Sequence, residues 1–220
     1  FVALTQKLGF SPIILPFKPN GKAMHIKGFL ARFSKTAKTQ AEFLNRVAKL
    51  NVPLVGVDSA IVLSYRDEYK EALGDSRGDF HVLTAHEWLT NQLESNTLQS
   101  AVKNIAKSDR TFEWHLFPHC AESTFMPNSP KEWQHIFVQF GQTLKVEKVG
   151  CCGMAGVFGH EVQNQTMSKD IYDVSWGKKL QGKDPNYCLA TGYSCRSQVK
   201  RYEKAILKHP VQALLEVLNN

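Results

Sequence analysis

No cysteine occurs before residue 120, no apolar run approaches the length of a membrane span, and no nucleotide-binding loop is present. Each absence excludes a class of function. A transmembrane helix needs roughly 18 consecutive apolar residues, and none are found. "GMAGVFG" (Gly153–Gly159) is glycine-rich, but no Lys-Ser/Thr follows it, so it is not a P-loop. There is no G-x-G-x-x-G and no Ser-His-Asp order, and nothing in the chain would bind FAD. Neither an initiator Met nor a secretory leader opens the sequence, and Phe1 falls inside a helical pattern. The expectation is a piece of a longer protein, cytoplasmic or peripheral at the inner face of the membrane, with no transmembrane segment.

What is present suffices for a real core. The chain has 220 residues, 43% hydrophobic and 21% charged, enough for one large domain or two small ones. The net charge of +7 is spread along the chain, with local groups at Lys18–Lys27 and Arg196–Lys208. No RNA- or DNA-binding motif accompanies it, so the reading is a solvated basic surface and no nucleic-acid partner. Five cysteines, an odd number in a chain without a secretory sign, favour reduced thiols used as ligands or in catalysis.

Short apolar runs alternate with amphipathic segments. "PIILPF" (Pro12–Phe17) reads as a buried strand. Ile26, Phe29, Leu30, Phe33, Ala37, Ala41, Leu44 and Val47 recur at helical spacing. "VPLVGV" (Val52–Val57) is strand-like, and Ile61, Tyr65, Tyr69 and Leu73 continue a helix that Gly74 can end. "DFHVLTAHEWL" holds a strand and then a helix. The second half repeats the plan. "FEWHLFP" is a strand. "SPKEW" (Ser129–Trp133) starts a helix, with Ser as N-cap and Pro at the first helical position, running to about Leu144. "LKVEKVG" is a strand ending at a double cysteine. A helix near Glu161–Leu180, the strand "YCLAT" and the helix "SCRSQVKRYEKAIL" follow. This order predicts an α/β fold of two pseudo-repeated halves, each a mainly parallel sheet flanked by helices. "LVGVDSAIVLSYRDE" sets against "LATGYSCRSQVKRYE", and "NGKA" (Asn20–Ala23) against the Gly and Ala of "CCGMA". The division expected is residues 1–95, a copy without cysteines, and 96–220, the copy that carries them.

Cys120, Cys151, Cys152 and Cys195 each follow a predicted strand. In a parallel sheet the strand C-termini share one edge, where α/β folds build their sites, so topology gathers four thiols that sequence spacing does not. Gly150, Gly153 and Gly156 let backbone approach a bulky inorganic group. Four convergent thiolates suit zinc or an iron–sulfur cluster, although the long gaps and the adjacent pair are unusual for structural zinc. The bland alternative is buried apolar thiols. Cys195 opens a helix, whose dipole favours thiolate. Cys188 lies within a strand and matches no site position, so it reads as core. Arg196 and Lys200 either offset cluster charge or are solvated helix charges. His119, His115 and His160 read as hydrogen-bonding neighbours of the sulfurs or as surface groups rather than ligands. Trp88, Trp114, Trp133 and Trp176 read as packing residues.

The constellation of Cys120, "CCG" at Cys151–Gly153 and Cys195 resembles the cysteine-rich CCG domain family. Its members include one subunit of heterodisulfide reductase and the iron–sulfur parts of glycolate oxidase and anaerobic glycerol-3-phosphate dehydrogenase. One departure stands out: the first Cys of the family's final C-x-x-C falls at Gly192. "GCCGMAGVFG" and "ATGYSCRSQVKR" look most like the C-terminal part of large bacterial FAD-linked oxidoreductases of the D-lactate and D-2-hydroxyglutarate dehydrogenase type. The resemblance implies an iron–sulfur cluster, of the 4Fe-4S kind, on Cys120, Cys151, Cys152 and Cys195, with His119, Gly153 and Arg196 around it. It also implies electron relay from the flavin domain and ferredoxin-like segment of the parent chain, with FAD outside this piece and no catalysis by the piece alone. In the first half Asn20–Gly21 stands where CCG would be and Ala60 where the last cysteine would be. The alternatives are a zinc-stabilised structural or assembly module and a thiol–disulfide switch.

Overall fold

Proline placement decides the first segment. The computed structural model describes residues 1–95, 98 and 112–219, and after the helix α1 (Val2–Lys7) no regular structure forms until Lys22. The expected strand at Pro12–Phe17 is therefore absent. Pro12, Pro16 and Pro19 each lack a ladder donor, and Ile13, Ile14 and Phe17 are 84%, 76% and 92% exposed. Leu15 packs onto the core formed by Phe33, Leu44 and Tyr69.

Residues 13–84 form one compact unit. It contains α2 (Lys22–Ile26), α3 (Leu30–Ala48), β1 (Leu54–Gly56), α4 (Ser59–Arg66), α5 (Glu68–Leu73) and β2 (Val82–Thr84). Phe33, Ala37, Gln40, Ala41 and Leu44 recur on one stripe of α3 and are buried. They share a core with Leu54, Val62, Tyr69, Phe80 and Val82. β1 and β2 pair in parallel, Leu54 with Val82 and Gly56 with Thr84. Asp58 caps α4 by accepting from the N–H groups of Ala60 and Ile61. Gly74, with φ of 51°, follows α5.

The other unit comprises residues 1–12 and those from 85 onward. After α6 (Ala85–Glu94) come β3 (Glu113–Phe117), α7 (Cys120–Phe125), α8 (Ser129–Gln139) and β4 (Thr143–Val146). Then follow α9 (Gln165–Tyr172), a π-helical turn (Asp173–Gly177), α10 (Lys178–Leu180), β5 (Cys188–Ala190), α11 (Tyr193–Glu203) and α12 (Pro210–Val217). The sheet order is β4-β3-β5 and every pair is parallel. Leu116 faces Val146 on one side and Leu189 on the other. The chain is thus α/β, with two small parallel sheets and helices flanking them.

Several boundaries differ from expectation for local reasons. α8 stops at Gln139, not near Leu144. Gly141 takes φ of 68° and donates to Val138 O, while Gln142 N–H reaches Phe137 O, a Schellman ending that frees Leu144 for β4. Ser129 is not the N-cap: Asn128 holds that place, and the Ser129 hydroxyl donates to Glu122. β4 ends at Val146, so residues 147–150 separate it from the double cysteine. The predicted helix over 161–180 is broken into 3-10, α, π and α turns. α11 ends at Glu203, before Lys204 with φ of 55°.

Candidate functional site

β3 is the middle strand, and β4 and β5 run parallel to it on either side. Their three C-terminal exits therefore open on one edge. β3 leads through Pro118 to His119, the N-cap of α7, and to Cys120, its first residue. β4 leads to Cys151 and Cys152. β5 leads through Thr191 to Gly192, the N-cap of α11, with Cys195 in its first turn. The His119 N–H donates to Thr191 Oγ1 at 2.9 Å, which ties the β3 and β5 exits together.

The four sulfurs meet. Cys151 accepts hydrogen bonds from the thiols of Cys120 and Cys152, and Cys152 is also bonded to Cys195. Gly153 N–H donates to Cys151 Sγ at 3.3 Å. These donors, the Cys120 thiol first, hold Cys151 well below the ordinary thiol range. Its partners move the other way: the bond to Cys151 raises Cys120 and Cys152. Cys151 is thus the acceptor of the array, the sulfur on which negative charge is favoured, and Cys120 and Cys152 are its donors. Cys152 and Cys195 are buried, and Cys120 and Cys151 are half-buried. Cys188 is fully buried in β5 and stands apart. The charges that act on it are Lys183, Glu147 and Asp184, and burial pushes its thiol up to about 11.

The turn that carries the pair is held by residues distant in sequence. Gly153 has φ of 83°, and a Cβ there would collide with Ser168 O. The Ser168 hydroxyl donates to Gly153 O at 2.7 Å. Gln198 Nε2 donates to Cys152 O at 3.1 Å and to Ser168 Oγ at 2.8 Å. Ahead of the pair, Gly150 N–H donates to Ser175 Oγ at 2.7 Å, and Trp176 Nε1 donates to Gly150 O at 3.1 Å. Ser175 and Trp176 lie in the π-helical turn, a device found often at functional sites. Sequence reasoning gave Trp176 only a packing role and passed over Ser168, Ser175, Thr191 and Gln198. Nothing in their local pattern distinguishes them.

The remaining candidates lie as follows. The ring of His119 packs against Gly192. A Cβ at 192 would strike His119 Cδ2 and come 3.0 Å from His119 Cγ and 3.0 Å from Cys195 Sγ. Arg196 Nη1 donates to Ala190 O at 2.7 Å and Thr191 O at 3.1 Å, so its guanidinium holds the carbonyls at the end of β5. His115 lies within β3 against Glu147, 2.8 Å away. His160 and Lys200 are exposed.

Among the described residues no group of three or more His, Cys, Asp or Glu side chains is spaced as a ready-made metal cage. The sulfurs instead bond to one another. The donor chemistry nonetheless suits a thiophilic group: four convergent soft sulfur ligands on glycine-bearing turns. Occupancy would replace S–H···S bonds by metal–sulfur bonds.

No family model matches the chain, and no solved structure matches it significantly. The chain is similar to curated proteins named D-2-hydroxyglutarate dehydrogenase. It is 80% identical over 218 residues to that of Haemophilus influenzae and 56% identical over 218 residues to that of Escherichia coli, in each case across 99% of this chain and 21% of the relative. The chain therefore spans about a fifth of the length of these relatives. It is also 24% identical over 208 residues to one polypeptide of the anaerobic glycerol-3-phosphate dehydrogenase of Escherichia coli, across 90% of this chain and 49% of that protein. No helix among the described residues is long and apolar enough to cross a membrane.

Proposed function

We propose that the chain is the electron-transfer part of an FAD-linked D-2-hydroxyglutarate dehydrogenase, with an iron–sulfur cluster on Cys120, Cys151, Cys152 and Cys195. The observation that carries this reading is the convergence of four thiols from three strand exits onto one sheet edge. The similarity to dehydrogenases over almost the whole chain supports it. When bound, such a cluster supplies one-electron exchange. This chain's residues hold it: Gly153, Ser168 and Gln198 fix the double-cysteine turn, Ser175 and Trp176 fix its approach, and Arg196 fixes the β5 exit. Hydride abstraction from the hydroxy acid belongs to the flavin, carried elsewhere in the parent protein along with a ferredoxin-like segment.

In the same reading residues 1–95 are a thiol-free copy of 96–220. Gly21 and Gly153 both take left-handed φ, 79° and 83°, and each half pairs its strands in parallel, which supports a shared plan.

Anaerobic purification with iron, sulfide and zinc analysis tests the proposal. Iron and sulfide with visible absorption are expected. Stoichiometric zinc without absorption would favour a structural module instead. A second reading, a thiol–disulfide switch, is favoured by the direct contact of the Cys151 sulfur with Cys120. Adjacent Cys151 and Cys152 are poorly placed to bridge each other. A Cys120–Cys151 disulfide in metal-free protein treated with oxidised glutathione, reversible and without effect on iron uptake, would mark that reading.

A further inference from the structure

The space beside Cys195 is shaped for an imidazole. Gly192 is buried and caps α11. Its missing side chain is where the His119 ring sits: a Cβ at 192 would collide with Cδ2 and stand 3.0 Å from Cγ. The same Cβ would stand 3.0 Å from Cys195 Sγ. The ring and the sulfur thus share one small volume, and the ring edge that meets Gly192 includes Cδ2, the carbon bonded to Nε2. Two further features fix the ring there. His119 precedes Cys120 as the cap of α7, so its backbone moves with that of a thiol of the array. Its N–H is anchored on Thr191 Oγ1 at 2.9 Å, one residue before Gly192. An imidazole set beside Cys195, on the residue that precedes Cys120, is a first-row-metal ligand by chemistry.

We propose that His119 is a nitrogen ligand of the metal centre, making the donor set mixed sulfur and imidazole, with Gly192 present to admit the ring. This rests on the iron–sulfur reading above. A four-iron cubane takes four protein donors, so an imidazole among them either frees one thiol or accompanies another cluster type.

The test uses the chain labelled with ¹⁵N-histidine, anaerobically reconstituted with ferrous iron and sulfide and then reduced, with pulsed electron paramagnetic resonance as readout. A strong ¹⁵N hyperfine coupling is expected. It should vanish in His119→Ala, with iron retention against a chelator weakened by at least about tenfold, the scale on which even outer-sphere partners act. His119→Cys should recover iron retention without the nitrogen coupling. Gly192→Ala, which keeps the imidazole but fills its place, should also lose the coupling. Circular dichroism of each variant separates ligand loss from unfolding, and the His119 variants suffice if Gly192→Ala does not fold. Iron uptake with no nitrogen coupling, or a coupling that survives in His119→Ala, would overturn this assignment while leaving the cluster reading standing. Failure of the unsubstituted chain to bind iron would overturn both.

Discussion

Gly153 does at one position what no other residue can. Its φ of 83° lies in the left-handed region, and Ser168 O fills the space beyond its Cα. Gly182 has a similar φ, 75°, but nothing within 4 Å. The two separate strain from collision. Gly182→Ala should cost only the left-handed penalty, about 1–2 kcal/mol. Gly153→Ala should cost more than about 3 kcal/mol, because backbone must also move. Denaturant titration of both variants measures the difference, and equal costs would refute the collision. Cys188 gives a prediction in pH. Burial raises its thiol to about 11, above the ordinary value near 8.5. Below the ordinary value the thiol is protonated whether folded or not, and its contribution is fully present. Between about pH 9 and 11 the unfolded chain loses the proton and the folded chain keeps it, so stability falls as pH rises. Cys188→Ala should remove about 2–3 kcal/mol of that loss, seen as a flatter stability curve between pH 8 and 11.

At the scale of elements, α11 does two jobs. Its first turn carries Cys195, and Gln198 one turn later holds Cys152 O and Ser168 Oγ. Gln198→Ala leaves buried polar groups without that donor and should cost about 1–3 kcal/mol. It should also speed cluster loss to a chelator, whereas an exposed change on the same helix, Lys200→Ala, should do neither. This division marks what was legible in the sequence. The period of α3, the strands flanking "CCG" and the parallel order could be read, because apolar spacing and turn residues encode them. The convergence of Cys120, Cys151, Cys152 and Cys195 followed from that order. The failures lie where local pattern and tertiary context disagree. "PIILPF" has the composition of a strand, but its prolines deny it a ladder. Ser129 has an N-cap's neighbours, but its hydroxyl is taken by buried Glu122. The π-helical turn, Ser168 and Gln198 act on residues far away in the chain, and no local period announces a long-range hydrogen bond.

At the scale of the whole molecule, thiols are confined to residues 120–195. Iron analysis of the reconstituted chain should therefore give one cluster and not two, and iron for two would refute the reading of residues 1–95 as a thiol-free copy. In the proposed division of labour the flavin lies elsewhere in the parent protein, so the chain alone should not reduce a dye with D-2-hydroxyglutarate. Turnover above a blank would refute the division of labour proposed.

The hydrogen bonds among Cys120, Cys151 and Cys152 have an accounting consequence. Sulfurs that share protons in this way form a single buffer rather than three separate acids, and the first charge is lodged on Cys151. An electrophile that caps Cys151 removes the acceptor to which Cys120 and Cys152 donate. The bond that holds the other two thiols up is then gone, so a second adduct forms more easily once the first is in place. To small reagents the edge of the sheet thus offers its sulfurs in sequence, Cys151 first.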